Sequence, residues 1–308
     1  MLAYYVVKFF SWIMCVAPKC LRNLTAAILG GIAVVATPKW RMQMAAANIQ
    51  ECLGVDKARA QQIAEKSLRR FGRMVVEVMR FPLLNKDNIT KLVNVEGLEY
   101  LEEAYKQNKG VIIATGHFGN WELLGATIAL HGYPMLSITR KQNNKYMDRF
   151  INEYREMVGL DVFASGGNEI VSAAKALKKK KLLGFLADQD GYIHGLPVPF
   201  LGQPSSAVVG PATFAKKFGS PVVPIFASRK PEGGHIVHIL PPLHYNNSGD
   251  DDVDMYTLTE ECVRVTEDFI REHPDEWIWF QHRWMTKMSE IVDYDKKLEI
   301  RERAHEKQ

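Results

Sequence analysis

The sequence predicts an α/β protein: one layered domain with a mixed central sheet flanked by helices, preceded by an apolar, membrane-associated helical segment. Three observations predict it. Short β-rich runs recur between residues 111 and 240, helical stretches separate several of them, and the first 40 residues are apolar in two long stretches. The domain boundary falls at residue 40, with the amino-terminal segment over 1–40 and the α/β domain over 41–308.

The elements follow in order. Residues 1–17 are apolar apart from Lys8 and Ser11, and residues 24–37 are apolar apart from threonines and a glycine pair. A secretory signal carries its positive charge ahead of the apolar region, whereas Lys8 lies inside it. A core helix pair is the bland alternative. A helix seated in a membrane, spanning it or lying in its interface with Lys and Arg toward the cytoplasm, fits better. The first stretch is at the short limit for spanning, and no strong spanning helix stands out. Residues 41–80 are rich in Ala, Gln, Arg, Glu and Met without proline and read as helix. Strands are expected at 111–115, 134–139, 160–164, 182–187, 222–228 and 236–240. Helices are expected at 119–131, 146–158, 169–181 and 255–273. The Gly- and Pro-rich stretch 188–211 reads as a long functional loop, residues 246–254 as a polar surface loop, and the tail from 287 as a solvated helix or frayed end.

Composition narrows the class. Of 308 residues, 47% are apolar and 24% charged, which excludes a disordered or collagen-like chain. No apolar run long enough for a polytopic membrane protein is present. Cysteines 15, 20, 52 and 262 form no C-x-x-C pair, against a zinc knuckle or disulfide framework and in favour of a reducing compartment. The first 80 residues hold twelve basic and four acidic side chains, a net of +8. With a whole-chain net of +4, the remainder sums to −4. A basic, apolar amino end suits anionic lipid headgroups.

Four constellations carry chemistry. The first is Gly116-His117-Phe118-Gly119-Asn120-Trp121-Glu122, directly after the run 111–115. Residues five apart in an unbroken helix lie about 140° apart. A histidine placed before the helix and Glu122 in its first turns could instead face each other. A carboxylate on one ring nitrogen fixes the tautomer, freeing the other to take a proton from a hydroxyl. The bland reading makes His117 a cap and Glu122 a surface residue. The second is Arg140, Asn144, Asp148 and Arg155, beginning at the strand end where α/β sheets place ligands. It is either a basic edge for phosphate or oxyanion or a salt-bridged surface helix. The third, Asp188-Gln189-Asp190-Gly191, could hold a divalent cation, orient Arg or His side chains, or form a turn. The fourth, 197–202, stiffens a loop presenting Phe200 and Leu201, either as the wall of an acyl-chain tunnel or as a packed crossover. The lysine run 178–181 is a solvated helix end or a surface for an acidic protein.

In order along nearly the whole chain, these blocks resemble the lipid A biosynthesis (late) acyltransferase family. Those carrying the resemblance are the apolar basic start, Asn48, His117 to Glu122, Arg140/Asn144/Asp148, Arg155, Asp188/Asp190, Val198-Pro199-Phe200-Leu201-Gly202, Pro224, Pro274, Trp279 and His282-Arg283. The resemblance implies a glycerolipid-acyltransferase-like fold, and transfer of a fatty acyl chain from acyl carrier protein to a hydroxyl of a lipid A precursor or related glycolipid. The reaction is placed at the cytoplasmic face of the inner membrane. It implies His117 as general base, Glu122 as its orienting partner, and Arg155 and Asp188 as further residues needed for activity. Arg140 would stand near phosphates or the reacting carbonyl. Asn144, Asn120, Asp190, Phe200 and Arg283 are carried over as substrate-binding. It implies direct attack on the thioester, with no covalent acyl-enzyme, cofactor, metal or nucleic acid. The chain offers no G-x-S-x-G nucleophile elbow. Three alternatives stand beside it: an acyl-CoA-dependent acyltransferase for another glycolipid or lysophospholipid, a metal-dependent glycosyltransferase using Asp188 and Asp190, and a non-catalytic lipid-binding protein. A glycerolipid acyltransferase usually carries aspartate where Glu122 stands.

Overall fold

A computed structural model describes residues 1–139, 143–164 and 169–306. Four helices come first: α1 (Leu2–Val16), α2 (Lys19–Ala36), α3 (Lys39–Leu53) and α4 (Lys57–Val78). The helix expected over 41–80 is therefore two. Gly54 takes the left-handed conformation (φ +65°) that closes α3, and the Asp56 side chain caps α4 by accepting from the Arg59 N–H. Among the described residues, α2 is the one helix long and apolar enough to cross a membrane. It has 18 residues, most of them exposed, so a spanning candidate exists where the sequence offered none that stood out. Both amino-terminal helices pack on the body. α2 lies along α4, where Gly30 and Gly72 meet so closely that a Cβ on Gly72 would fall 2.3 Å from the Gly30 nitrogen. α1 is tied down by its polar residues. The Tyr4 hydroxyl donates to Glu153 (2.6 Å), Lys8 pairs with Glu153 (3.0 Å), and the Ser11 hydroxyl lies 2.6 Å from that of Tyr154.

The chain then enters the sheet through α5 (Lys86–Leu92), β1 (Val93–Glu96), α6 (Leu98–Lys106), β2 (Val111–Thr115), α7 (Trp121–Leu130), β3 (Met135–Thr139), α8 (Lys145–Met157), β4 (Leu160–Ala164), α9 (Glu169–Lys178) and β5 (Leu182–Leu186). The stretch 188–211 holds a two-residue antiparallel ribbon, β6 (Leu196–Pro197) with β7 (Ser206–Ala207), and its end already belongs to α10 (Gly210–Phe218). The hairpin β8 (Val222–Arg229) and β9 (His235–Ile239) follows, then α11 (Asp251–Glu272) and α12 (Tyr294–Glu306). The polar loop expected over 246–254 ends early, because Asp250 caps α11 through the Val253 N–H. The tail is not wholly solvated, since Ile300 and Ala304 are buried in the core cluster that holds residues of α11.

The seven-stranded sheet has the order β1-β9-β8-β2-β5-β3-β4. The last five run parallel. β9 pairs antiparallel with β8, and β1 follows β9, so the sheet is mixed as the sequence predicts. Strand β2 is buried at all five positions, which accounts for its unbroken apolar run. Its neighbours place the site, because Thr115 ends β2 level with Leu186 at the end of β5.

Candidate active site

The register sets the first contact. His117 stands two residues beyond β2 and Asp188 two beyond β5, so adjacent parallel strands deliver them side by side. His117 Nδ1 lies 3.0 Å from Asp188 Oδ1, and the His117 backbone N–H donates to Oδ2 at 2.8 Å. Two glycines permit this approach. A Cβ on Gly116 would lie 2.9 Å from the Asp188 carboxyl carbon. Gly119, at φ +53°, passes so near the Ala227 carbonyl that a Cβ would lie 2.7 Å from its oxygen.

Asp188 is fully buried. Its Oδ2 also accepts from Trp277 Nε1 (2.8 Å) and Gln281 Nε2 (3.1 Å). Burial alone raises a carboxyl pKa. The charge of His117 and these hydrogen bonds override it and hold Asp188 down to about 2. His117 shows the reverse balance. Burial favours its neutral form, but Asp188, with a smaller contribution from Glu122, raises its pKa above the ordinary value. The carboxylate thus fixes Nδ1 as the protonated nitrogen of the neutral ring. Among the described residues Nε2 takes no hydrogen bond. Trp121 packs edge-on against the ring, with centroids 4.9 Å apart.

The expected His117–Glu122 pair does not form. Glu122, in the first turn of α7, is gripped by both arms of the Arg155 guanidinium, Nε to Oε2 at 2.7 Å and Nη2 to Oε1 at 2.5 Å. Arg155 lies at the end of α8 and its planar fork matches a carboxylate. Burial would lower its pKa, yet Glu122 raises it. Glu122 and His117 share a cavity instead of a hydrogen bond.

That cavity holds about 670 Å³. Its walls are mainly apolar, with Met74, Leu124, Met135, Met147, Phe150 and Leu160 among them. Val7 of α1 and Phe71 of α4 contribute from the helical side. Its polar residues include His117, Glu122, Arg155, Thr115, Ser137 and Gln189. The Thr115 hydroxyl is buried and without a hydrogen bond among the described residues.

The other expected residues fall elsewhere. Arg140 lies outside the described residues. Asn144 caps α8, accepting from the Tyr146 and Met147 N–H groups. Asp148 accepts from Asn152 one turn on. Asn120 is fully buried. It caps α7 through the Leu123 N–H and donates to Glu77 at 2.9 Å. Asp190 fastens the segment after α11, accepting from the Met285 and Thr286 N–H groups and the Thr286 hydroxyl. Phe200 walls no tunnel. It is buried against Trp277 and Trp284, with the Arg283 guanidinium 4.2 Å above its ring. Arg283 is itself fully buried and donates to the Ser206 carbonyl. The packed crossover is the correct reading of that loop. Trp277 and Gln281 are the site residues the sequence did not reveal. The observed strands give Asp188 and His117 one shared offset, whereas the expected strand 182–187 ran one residue too far to show it.

The family described as "Bacterial lipid A biosynthesis acyltransferase" matches residues 1–286. Among similar proteins is the phosphatidylinositol mannoside acyltransferase of Mycobacterium tuberculosis, 26% identical over 250 residues, which cover 79% of this chain and 77% of that protein. The lipid A biosynthesis palmitoleoyltransferase of Escherichia coli is 26% identical over 254 residues, 81% of this chain and 80% of that one. The lauroyltransferase of the same organism is 23% identical over 205 residues, 65% and 64% of the two chains. The protein is therefore an O-acyltransferase, of the class that acylates glycolipids. The chain belongs to the bacterial lipid A biosynthesis acyltransferase family.

Proposed function

We propose that the protein moves a fatty acyl chain from the thioester of acyl carrier protein to a hydroxyl of a lipid A precursor or related glycolipid, with His117 as base and Asp188 as its orienting carboxylate. The observation that carries this reading is a histidine with a fixed tautomer on the wall of an apolar cavity. In the reaction the acceptor hydroxyl gives its proton to His117 Nε2 while its oxygen attacks the thioester carbonyl. The C–S bond then breaks, and the leaving sulfur takes the proton back from the imidazolium. Asp188 holds the ring and stabilises its positive charge. The apolar cavity receives the acyl chain, and the Glu122–Arg155 pair keeps a fixed dipole at its polar edge.

The outer face of the first helices supports membrane association. Leu2, Tyr5, Phe9, Phe10 and Trp12 of α1 and Leu24, Ile28, Ile32 and Val35 of α2 are exposed, a surface suited to lipid. Val7 and Phe71 put the cavity wall beside that surface, offering acyl chains a route in. The site is read as facing the cytoplasmic side of the inner membrane. The relatives named above differ in acceptor, so a mannosylated phosphoinositide is the second acceptor to try.

The test is acyl transfer in detergent, with labelled acyl carrier protein thioester, a lipid A precursor and chelator, for wild type and His117→Ala. Loss of one general base costs roughly 10²–10⁴ in rate. Transfer that collapses in the variant supports the mechanism. Transfer only from acyl-CoA, or only to another glycolipid, replaces the substrate and keeps the chemistry. Equal rates in both proteins refute the base.

A further inference from the structure

A second hollow, about 410 Å³, opens on the side of α4 away from the cavity. It is lined by Lys66, Arg69, Arg70 and Arg73 of α4, with Arg229 at the end of β8, Lys230 after it and one acid, Asp275. The ion pairs within it are few. Arg70 is held by Asp275 (2.9 Å) and Glu276, Lys66 approaches Asp275 at 3.9 Å, and Arg229 pairs with Glu77 (2.5 Å). Arg69, Arg73 and Lys230 take no carboxylate among the described residues. Six cations against three carboxylates leave an excess of three positive charges in one concavity. Burial lowers the Arg70 pKa, Asp275 opposes it, and the smaller repulsion from Arg229 and Arg73 adds to the lowering.

Its position narrows the ligand. Arg69 and Arg73 flank Gly72, where α4 crosses Gly30 of α2, so the cations stand one helix layer behind the exposed aliphatic face of α2. Long guanidinium side chains one helix layer behind an apolar face reach headgroup depth when that face meets a bilayer, and their forks fit phosphate oxygens. The hollow is also built into the site's supports. Glu276, paired with Arg70, accepts the Gly119 N–H through its carbonyl (2.9 Å), and Glu77, paired with Arg229, accepts from Asn120. The elements that line it therefore also hold the loop carrying His117.

We propose that this hollow binds the phosphate group of an anionic lipid headgroup. The inference rests on the membrane association proposed above and is independent of the acyl-transfer chemistry, because its test contains neither acyl donor nor acceptor. The full chain is sedimented with vesicles of phosphatidylcholine alone and of four parts phosphatidylcholine to one part phosphatidic acid, with and without 10 mM inorganic phosphate, a concentration on the order of free-anion affinities. The variants are Arg69→Gln/Arg73→Gln and a charge-matched control, Lys178→Gln/Lys179→Gln, two exposed residues where α9 ends. One basic residue beside an anionic surface is worth about fivefold in binding, so the arginine pair should cost about thirtyfold on phosphatidic acid vesicles. Binding to phosphatidylcholine should not change, and the lysine control should behave as wild type. Equal losses in the two variants would reduce the effect to net charge and overturn the site. No loss in the arginine variant would overturn it as well. If inorganic phosphate abolishes the preference for phosphatidic acid, the hollow takes free phosphate and the lipid assignment fails.

Discussion

Asp188→Asn separates the two carboxylates that could orient His117, and the hydrogen-bond pattern dictates what it does. Three N–H donors converge on Asp188 Oδ2: the His117 backbone, Trp277 and Gln281. An asparagine must therefore place its carbonyl oxygen there and turn its NH₂ toward His117 Nδ1. Two donors cannot face each other, so Nδ1 becomes the acceptor and the ring proton moves to Nε2. The nitrogen that should take the hydroxyl proton then already carries one. The same wrong-tautomer logic costs about 10⁴ in kcat in serine protease triads, and a loss of roughly 10³–10⁴ is expected here. The fold should survive, because the buried oxygen keeps its three donors. The variant loses only the charge-assisted part of each bond, about 1–1.5 kcal/mol apiece. The assay is single-turnover acyl transfer with thioester donor and glycolipid acceptor, alongside a thermal melt. A cooperatively melting Asp188→Asn protein within tenfold of wild type, beside a dead Glu122→Gln, would refute the reasoning and return the orienting role to Glu122.

Further outcomes follow from other contacts. The acid limb of kcat/KM should have its midpoint above the ordinary histidine value of 6.5, since Asp188 raises His117. A pH–rate profile with a midpoint below 6.5 contradicts the pair. Glu77 is held at about 2 against an ordinary 4.5, burial being outweighed by His235 and Arg229. A depressed carboxylate stabilises the fold fully above its unfolded pKa and loses that contribution as pH falls toward the folded one. Glu77→Gln should thus destabilise the protein at neutral pH and flatten the fall in urea midpoint between about pH 4.5 and 2. Gly72→Ala drives a methyl into the Gly30 backbone of α2 and should cost about 1–3 kcal/mol, read as a lower melting temperature. Gly31→Ala, with no neighbour within 4 Å of its Cβ, should cost none. Trp277→Phe keeps the ring and removes one donor to Asp188. It should slow transfer about tenfold, by the 1.5 kcal/mol or so of a bond to a charged group.

How much of this was legible depends on whether the determinant is local. β2 coincides with the expected run 111–115 because a strand buried on both faces is written as a continuous apolar segment; β4 coincides with 160–164 although it is an edge strand with Asp161 exposed. β1 escaped notice because Val-Asn-Val-Glu is short, half-polar and at the sheet edge. α10 hid inside a stretch whose Gly and Pro content reads as loop, although Pro211 sits in its first turn, where proline is tolerated. Phe200 and Arg283 illustrate the harder limit. A hydrophobic residue on a proline-stiffened loop has the same local pattern whether it faces a tunnel or the core, and only the tertiary neighbours Trp277 and Trp284 decide.

The expected His117–Glu122 contact is replaced by Glu122–Arg155 for a reason that also clarifies the design. Sequence spacing proposes partners along the chain, and five residues seemed near enough. Helix α7, however, is capped by Asn120, which fixes the start of its first turn and sends Glu122 toward α8 and the Arg155 fork. His117, left behind on the strand side of that cap, finds its carboxylate across the sheet, 71 residues away. One asparagine thus divides the motif between two jobs: an orienting pair built on strand ends, and an ion pair built between helices. Both face one apolar cavity. If that division is the working arrangement, Glu122→Gln should raise KM and lower stability, because it strands the partly buried Arg155. Asp188→Asn should instead act on kcat. Kinetics of the two variants measured side by side would show whether they separate in this way.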